Sequence, residues 1–389
     1  MIYLDHNATA PVAPEAIIAM RDALERAWGN PSSTHGPGQD ARRLLGTARA
    51  QVALLVGCRP DELVFTSGAT EANHAALLGA VDPRRPTPRR DRLVLSAVEH
   101  PALLALADRL RHFGHVVDLL PVGSDGRIDL DRADALIGTD VALVSVMGAN
   151  NETGVCMPLA DLAAMAHARG ALLHADATQL VGKSVLRFAD SGADLWSVSA
   201  HKVGGPKGVG ALVVRKGLDW PALLAGRQER GRRGGTENLP GIAGFGAAAA
   251  VAASTLPADL DRMAALRDRL ESGACGFPDA TVYGAGAPRL PNTSLMRFGN
   301  LPAEAVLHGL ERAGVVAASG AACHAGGNRP SHVLLAMGAT PPQALGGVRF
   351  SLGRDTTAAA VEAALDALQA TVTRLRHNRR AVAEPATVS

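Results

Sequence analysis

From about residue 50 to residue 215, short apolar runs alternate with stretches of helical spacing, and this alternation restricts the fold more than any other feature of the chain. Leu63-Val64-Phe65-Thr66 reads as a strand, followed by Ser67-Gly68-Ala69-Thr70 and a helix over 71–80. Leu93-Val94-Leu95-Ser96 reads as the next strand, with a helix over 101–113. Residues 141–147 are apolar enough for a strand buried on both faces. A helix over 159–169 then precedes strands at 171–175, 195–199 and 209–214. Strands alternating with helices predict an α/β domain built on a mostly parallel sheet. In such sheets ligands sit beyond the carboxyl ends of the strands, so the residues just after each strand are the ones to inspect.

After residue 240 the texture changes. An alanine-rich helix is predicted over 242–254 and a second, long one over 257–271. Short strands near 293–297 and 347–352 flank helices at 303–312 and 331–337, with a last helix over about 356–376. This pattern predicts a smaller α+β domain, and 389 residues are more than one core normally organises. The tail 377–389 is polar, contains Pro385 and is expected to be disordered.

Composition removes several function classes. Lys+Arg 39 against Asp+Glu 37 leaves a net charge of +2, which gives no electrostatic footprint for a nucleic-acid duplex. Only 7 Phe, 3 Trp and 2 Tyr are available to stack on single strands, so no nucleic-acid partner is expected. The arginine-rich run 84–92, with its two prolines, reads as a solvated loop. Cys58, Cys156, Cys275 and Cys323 are scattered without a C-x-x-C pair, which is neither a disulfide framework nor a zinc site, so no metal is expected. The N-terminus MIYLDHNATAPVAP lacks the character of a signal peptide, and the alanine-rich stretch 243–256 is too short for a membrane span. A reducing cytoplasm, with no membrane partner, is the expected setting.

Lysine is scarce. Only Lys183, Lys202, Lys207 and Lys216 occur among the 39 basic residues, leaving 35 arginines, and three of the four lie within 202–216. Codon bias explains the scarcity but not this placing. Arginine stays protonated and forms Schiff bases poorly, whereas lysine can do both kinds of chemistry. Lys202 follows a predicted strand in Ser199-Ala200-His201-Lys202, just before a glycine-rich turn. Desolvation there would make its amine a nucleophile. Lys207, in Gly-Pro-Lys-Gly, is the other candidate but reads as a turn, and Lys216 reads as solvated. His174-Ala175-Asp176-Ala177-Thr178-Gln179 ends a strand with an acid and an amide, and an aspartate there can hold a ring nitrogen protonated or simply cap a helix. Thr66–Glu71 offers either a plain N-cap through Ser67 or Thr70 or an anion site at a helix start. With no G-x-x-x-x-G-K-[ST] and no G-x-G-x-x-G after a strand, nucleotide readings lose their support. Cys323 lies among small residues in Ser319-Gly320-Ala321-Ala322-Cys323-His324, a segment able to deliver a thiolate to a distant target.

Ten segments, in order, make the chain resemble the cysteine desulfurases of the NifS/IscS type, a branch of the fold-type I pyridoxal-phosphate enzymes. They include Asp5-His6-Asn7-Ala8-Thr9, Asn30-Pro31-Ser32-Ser33, Thr66–Glu71, Glu99-His100, Asn150–Gly154, His174–Gln179, Ser199–Lys202, Arg233–Thr236, Ser319–Cys323 and Arg349–Arg354. The resemblance implies pyridoxal 5'-phosphate as cofactor, bonded to Lys202, which later moves the α-proton. It further implies that Asp176 pairs with the pyridine nitrogen and His100 stacks on the ring and transfers protons. Gln179 and Asn151 would face the phenolic oxygen. Ala69 (through its backbone), Thr70, Ser199 and His201 would hold the phosphate. Thr236 would reach the phosphate of a neighbouring subunit, implying a homodimer. Arg349, with Asn7, would bind the substrate carboxylate. Cys323 would take sulfur from L-cysteine as a persulfide, release L-alanine, and pass the sulfur to an acceptor protein or thiol, in iron–sulfur cluster assembly or other sulfur trafficking. The implied division is a large domain over 16–254 and a small one over 1–15 plus 255–376. The family more often has Ser-Gly-Ser-Ala-Cys where this chain has Ser319-Gly320-Ala321-Ala322-Cys323, a pattern also similar to selenocysteine lyases, so L-selenocysteine is the alternative substrate.

Overall fold

The computed structural model describes residues 1–84, 90–320 and 329–383. Its central element is a seven-stranded sheet in the order Leu63–Thr66, Gly210–Val214, Leu195–Ser199, Leu172–Asp176, Val141–Met147, Arg92–Ser96, Val117–Leu120. Gly210–Val214 runs antiparallel to both neighbours, and the remaining pairs are parallel. The α/β class with a mostly parallel sheet is therefore the observed one. Val141–Met147 is an interior strand of this order and all its residues are buried, as its continuous apolar run requires.

Helices cover the sheet because each presents one apolar face. Leu103, Leu106, Ala107 and Leu110 of helix Pro101–His112 recur at three- and four-residue spacing and pack with Leu93 and Leu95. Helix Gly36–Val56 buries Leu45, Val52 and Val56 against Leu63 and Phe65. It stops at Gly57, whose left-handed φ of 73° is the conformation glycine adopts without a steric penalty. Arg49 of that helix makes a buried two-pronged ion pair with Glu229, at 2.9 and 2.6 Å, and Glu229 also accepts the Phe65 N–H. These contacts pin the edge strand that leads into the site.

A second sheet is antiparallel, in the order Ala318–Ser319, Val348–Ser351, Thr293–Phe298, Ala280–Val282. Ile2–Tyr3 pairs with Val315–Val316 beside it, so the N-terminus joins this region. Its own core contains Leu4, Met296, Phe298, Leu310, Phe350 and Leu368.

Two elements differ from the sequence expectation. The helices expected at 242–254 and 257–271 are one helix, Leu239–Ala274, with Pro257 inside it. A single proline removes one N–H from a 36-residue ladder, and burial along the rest keeps the helix continuous. Ile242, Phe245 and Ala249 pack in the large core, whereas Leu266, Leu270 and Ala274 pack in the second. By length and composition this helix is apolar enough to cross a membrane, contrary to the expectation from 243–256, and 56% of its most apolar window is buried within the protein. The last helix, Ala358–Ala383, continues through the start of the expected disordered tail. The residues of 377–383 include no helix breaker, and the first one is Pro385. Residues 384–389 lie outside the described residues.

Candidate active site

Several strands deliver chemistry to one end of the sheet. Leu172–Asp176 ends on Asp176, whose Oδ1 accepts the Thr178 N–H at 3.0 Å and whose Oδ2 accepts from Asn73 Nδ2 at 2.8 Å. Leu195–Ser199 runs into a short 3₁₀ turn, Ala200–Lys202, and the Lys202 amine donates to the carbonyls of Asn7 and Ala8 at 2.6 and 2.8 Å. Arg92–Ser96 leads to His100, which caps helix Pro101–His112 through Nδ1 accepting the Ala102 N–H at 3.2 Å. Leu63–Thr66 leads into helix Ala69–Ala80 through Ser67 and Gly68.

The residue capping that last helix is Gly68, with no side-chain cap. Ser67 instead gives its N–H to Glu71 Oε2 at 2.8 Å, and Thr66 Oγ1 donates to the Gly68 carbonyl at 3.0 Å. The plain N-cap reading for Ser67 or Thr70 is therefore not met: this helix start has no side-chain cap, and the Glu71 carboxylate lies beside it on the Ser67 N–H.

These strand ends enclose a cavity of about 550 Å³. Asn7, Ala69, Thr70, His100, Asn151, Asp176, Gln179, Ser199, His201, Lys202 and Arg349 all line it. Thr236 is exposed and does not. Cys323 lies outside the described residues. The sequence reading did not single out Asn73 or Thr178, which line the same cavity. Each has one buried oxygen, Asn73 Oδ1 and Thr178 Oγ1, without a partner among the described residues.

Arg349 comes from the second sheet, in strand Val348–Ser351. Its Nη1 donates to the Asn151 carbonyl at 3.0 Å and its Nη2 to Asp5 Oδ1 at 2.7 Å. Its Nε is buried without a partner among the described residues. Asn7 is buried and fully engaged: Nδ2 donates to Thr293 Oγ1 and the Asn151 carbonyl, and Oδ1 accepts from Asn292 and from Lys183.

Burial sets the charge states. It pushes His100 below the ordinary imidazole value; Asp176 opposes this and Lys202 adds to it. His201 is pushed down to about 4, by burial first and then by Lys202, Lys207 and Lys183. His174, held between Ser145 Oγ at 2.8 Å and Ser197 Oγ at 2.9 Å, is likewise pushed down to about 4 by burial. Burial raises Glu99 well above the carboxylate range, with Asp176 acting the same way. The cavity thus combines an acid, an amine, a neutral imidazole, a helix start and a guanidinium.

Comparison with known proteins agrees with this geometry. Residues 2–364 match the model of the aminotransferase class-V family. A cysteine desulfurase of Cereibacter sphaeroides is 47% identical over 379 residues, covering 96% of each chain. The chain belongs to the cysteine desulfurase family of class-V aminotransferases. Among solved structures, a NifS-like protein superposes with a TM-score of 0.87 at 33% identity, covering 96% of this chain and 99% of its own. SspA in complex with cysteine gives a TM-score of 0.79 at 30% identity, covering 90% and 99%. Both solved structures share this fold over nearly their whole length, in agreement with a fold-type I architecture.

Proposed function

We propose that this chain is a pyridoxal 5'-phosphate-dependent cysteine desulfurase that converts L-cysteine to L-alanine and loads the released sulfur on Cys323 as a persulfide. The observation that carries the reading is the convergence of Lys202, Asp176, His100 and Arg349 on one cavity at the carboxyl ends of the strands. The named relatives favour cysteine, and nothing supports the selenocysteine alternative over it.

The residues fit the cofactor. A volume of about 550 Å³ is that of a small-molecule site. The glycine-capped helix start suits a phosphate, Asp176 suits a ring nitrogen, and the unpartnered oxygens of Asn73 and Thr178 await polar groups. When bound, the group supplies an electron sink for bonds broken at the substrate's α- and β-carbons. Lys202 would hold it covalently and carry the α-proton on its amine. Asp176 would hold the ring-nitrogen proton. His100, kept neutral by burial, would accept or return a proton. Gln179 and Asn151 would bind beside the ring, and Ala69, Thr70, Ser199 and His201 would hold the phosphate. Arg349, whose Nε has no partner among the described residues, would bind the substrate carboxylate, and Asn7, its side chain taken up by Thr293, Asn151, Asn292 and Lys183, would line that end.

The thiolate of Cys323 would attack the substrate sulfur and form the S–S bond as the C–S bond breaks. The carbon skeleton then takes up a proton and leaves as alanine. Burial pushes Cys58 up to about 12 and Cys156 to about 11, which leaves both as poor nucleophiles at neutral pH. The free state of Cys58, Cys156 and Cys275 supports a reducing, cytoplasmic setting, and an acceptor protein or thiol would receive the sulfur for iron–sulfur assembly or related trafficking. Exposed Thr236 would serve the partner's phosphate in a homodimer, and exposed Ile17, Leu24 and Trp28 are apolar surface that such an interface would cover. The division into a large domain over 16–254 and a small one over 1–15 plus 255–376 belongs to the same reading.

The purified protein should show an absorbance band near the visible edge and form alanine from cysteine. Lys202→Ala should abolish the band. Cys323→Ala should keep it but lose persulfide formation. A protein without the band, or a band that survives Lys202→Ala, sinks the reading. Full sulfide release by Cys323→Ala sinks the nucleophile assignment.

A further inference from the structure

Of the three lysines to which the reading above gives no role, Lys183 is the most deeply buried, with 6% of its surface exposed. Its amine donates to Gln179 Oε1 at 2.6 Å and to Asn7 Oδ1 at 3.0 Å. Both acceptors have fixed orientations. Gln179 Nε2 faces the Asn7 carbonyl at 3.0 Å, so Oε1 must be the atom turned to Lys183. Asn7 Nδ2 faces the Asn151 carbonyl and its Oδ1 also accepts from Asn292, whose own Nδ2 is tied to the Leu352 carbonyl. The same Asn7 carbonyl that receives Gln179 also receives the Lys202 amine. One buried amine therefore braces the two residues that surround the reactive lysine.

We propose that Lys183 is a positioning residue of this active site: held between Asn7 and Gln179, it fixes the Gln179 amide with its N–H edge toward the cavity and strengthens that edge as a donor. A hydrogen bond from an amine to the amide oxygen draws electron density away from the amide nitrogen, so its remaining N–H binds an anionic oxygen more tightly. The role rests on the reading of the cavity as a pyridoxal-phosphate site, where Gln179 meets the ring's anionic oxygen side. Burial first, and then the cations Lys202 and Arg349, lower its proton affinity. A separate cavity of about 70 Å³ borders it, into which His6, Asp259, Arg354 and Asp355 also face.

The test follows the pH titration of the visible band of the cofactor-loaded protein, alongside kcat and KM for alanine formation. In Lys183→Met the titration midpoint should rise by roughly one pH unit, since the anionic form loses its support. Lys183→Arg, with the small cavity to receive its larger head, should restore the wild-type midpoint. Gln179→Leu should shift the midpoint as Lys183→Met does, and the double variant should shift it no further. Where Lys183→Met fails to fold, Lys183→Gln, neutral at every pH, takes its place in both comparisons with the same expected outcomes. A wild-type midpoint in Lys183→Met or in Gln179→Leu, or full additivity in the double variant, overturns the role of Lys183 while leaving the desulfurase reading intact. A wild-type protein without any band overturns that reading and this inference with it.

Discussion

At the scale of single residues, the state of Asp176 depends on a neighbour that sequence gives no reason to choose. Asn73 lies four residues into its helix segment after Ala69, is 2% exposed, and donates to Asp176 Oδ2 at 2.8 Å. Replacing it by leucine leaves the carboxylate with the Thr178 N–H as its one remaining donor among these contacts. A hydrogen bond to a charged group contributes about 1.5–3 kcal/mol, so Asn73→Leu should lose roughly that much stability in urea unfolding. It should also weaken cofactor retention on dialysis; unchanged retention would remove Asn73 from the site. The contrast between Asp176 and Asn73 shows what was legible. Asp176, Lys202 and His100 could be found because each directly follows a strand or starts a helix, where chain order alone predicts a ligand site. Asn73 acts through a partner 103 residues away, and Lys183 joins Gln179, four residues before it, to Asn7, 176 residues away; no local pattern encodes the two long separations. Thr236, outside the cavity, could be singled out only through the resemblance.

At the scale of elements, glycine has opposite effects in two places. Gly46 sits exposed inside helix Gly36–Val56, and a Cβ there meets nothing within 4 Å. Gly46→Ala should stabilise the protein by about 0.5–1 kcal/mol through lower backbone entropy in the unfolded chain. Gly210 opens the antiparallel strand, and a Cβ there would lie 2.5 Å from the Val198 carbonyl oxygen and 2.7 Å from the Cα of Gly68. Both contacts are backbone, so neither can rotate away. Gly210→Ala should cost about 2–3 kcal/mol and displace the Gly68 turn from the helix start, which thermal melts with and without cofactor would register as lost stability and lost cofactor stabilisation. Strands Leu63–Thr66, Val141–Met147 and Leu195–Ser199 matched their predicted bounds because an apolar run ends there in turn-forming residues. Edge strand Val117–Leu120 lacked such a signal, its pattern being interrupted by Asp118. The helix Leu239–Ala274 was divided in two at Pro257, since local propensity says nothing of the burial that carries a helix past a proline.

At the scale of the whole molecule, the site depends on contacts between two cores, and Glu152 is one of them. It follows Asn151 in the turn beyond the central strand, is 3% exposed, and accepts from Ser331 Oγ of the second region at 2.5 Å. A Cβ on Gly320 would come within 2.4 Å of its Oε2, so the carboxyl is packed against backbone as well. Burial pushes its pKa up to about 7 from 4.5, with Ser331 and Arg349 opposing. An acid whose pKa is raised by folding adds its stability below the unfolded value and loses it as pH rises through the folded one. The window is therefore about 4.5 to 7, and the loss amounts to about 3 kcal/mol. The imidazoles of buried His174 and half-buried His201, lowered to about 4 from 6.5, act in the opposite sense over an overlapping range, stabilising above 6.5 and failing as pH falls through 4. The wild-type profile should thus be flatter than either set alone would make it. Glu152→Gln separates them, because the amide keeps an oxygen for Ser331 and carries no charge at any pH. Its stability relative to wild type, measured by denaturant unfolding at pH 5 and pH 8, should improve by a few kcal/mol toward the higher pH. A difference that stays constant across that range would mean that Glu152 is ionised in the folded protein throughout, and that the two cores meet across a charge rather than a neutral carboxyl.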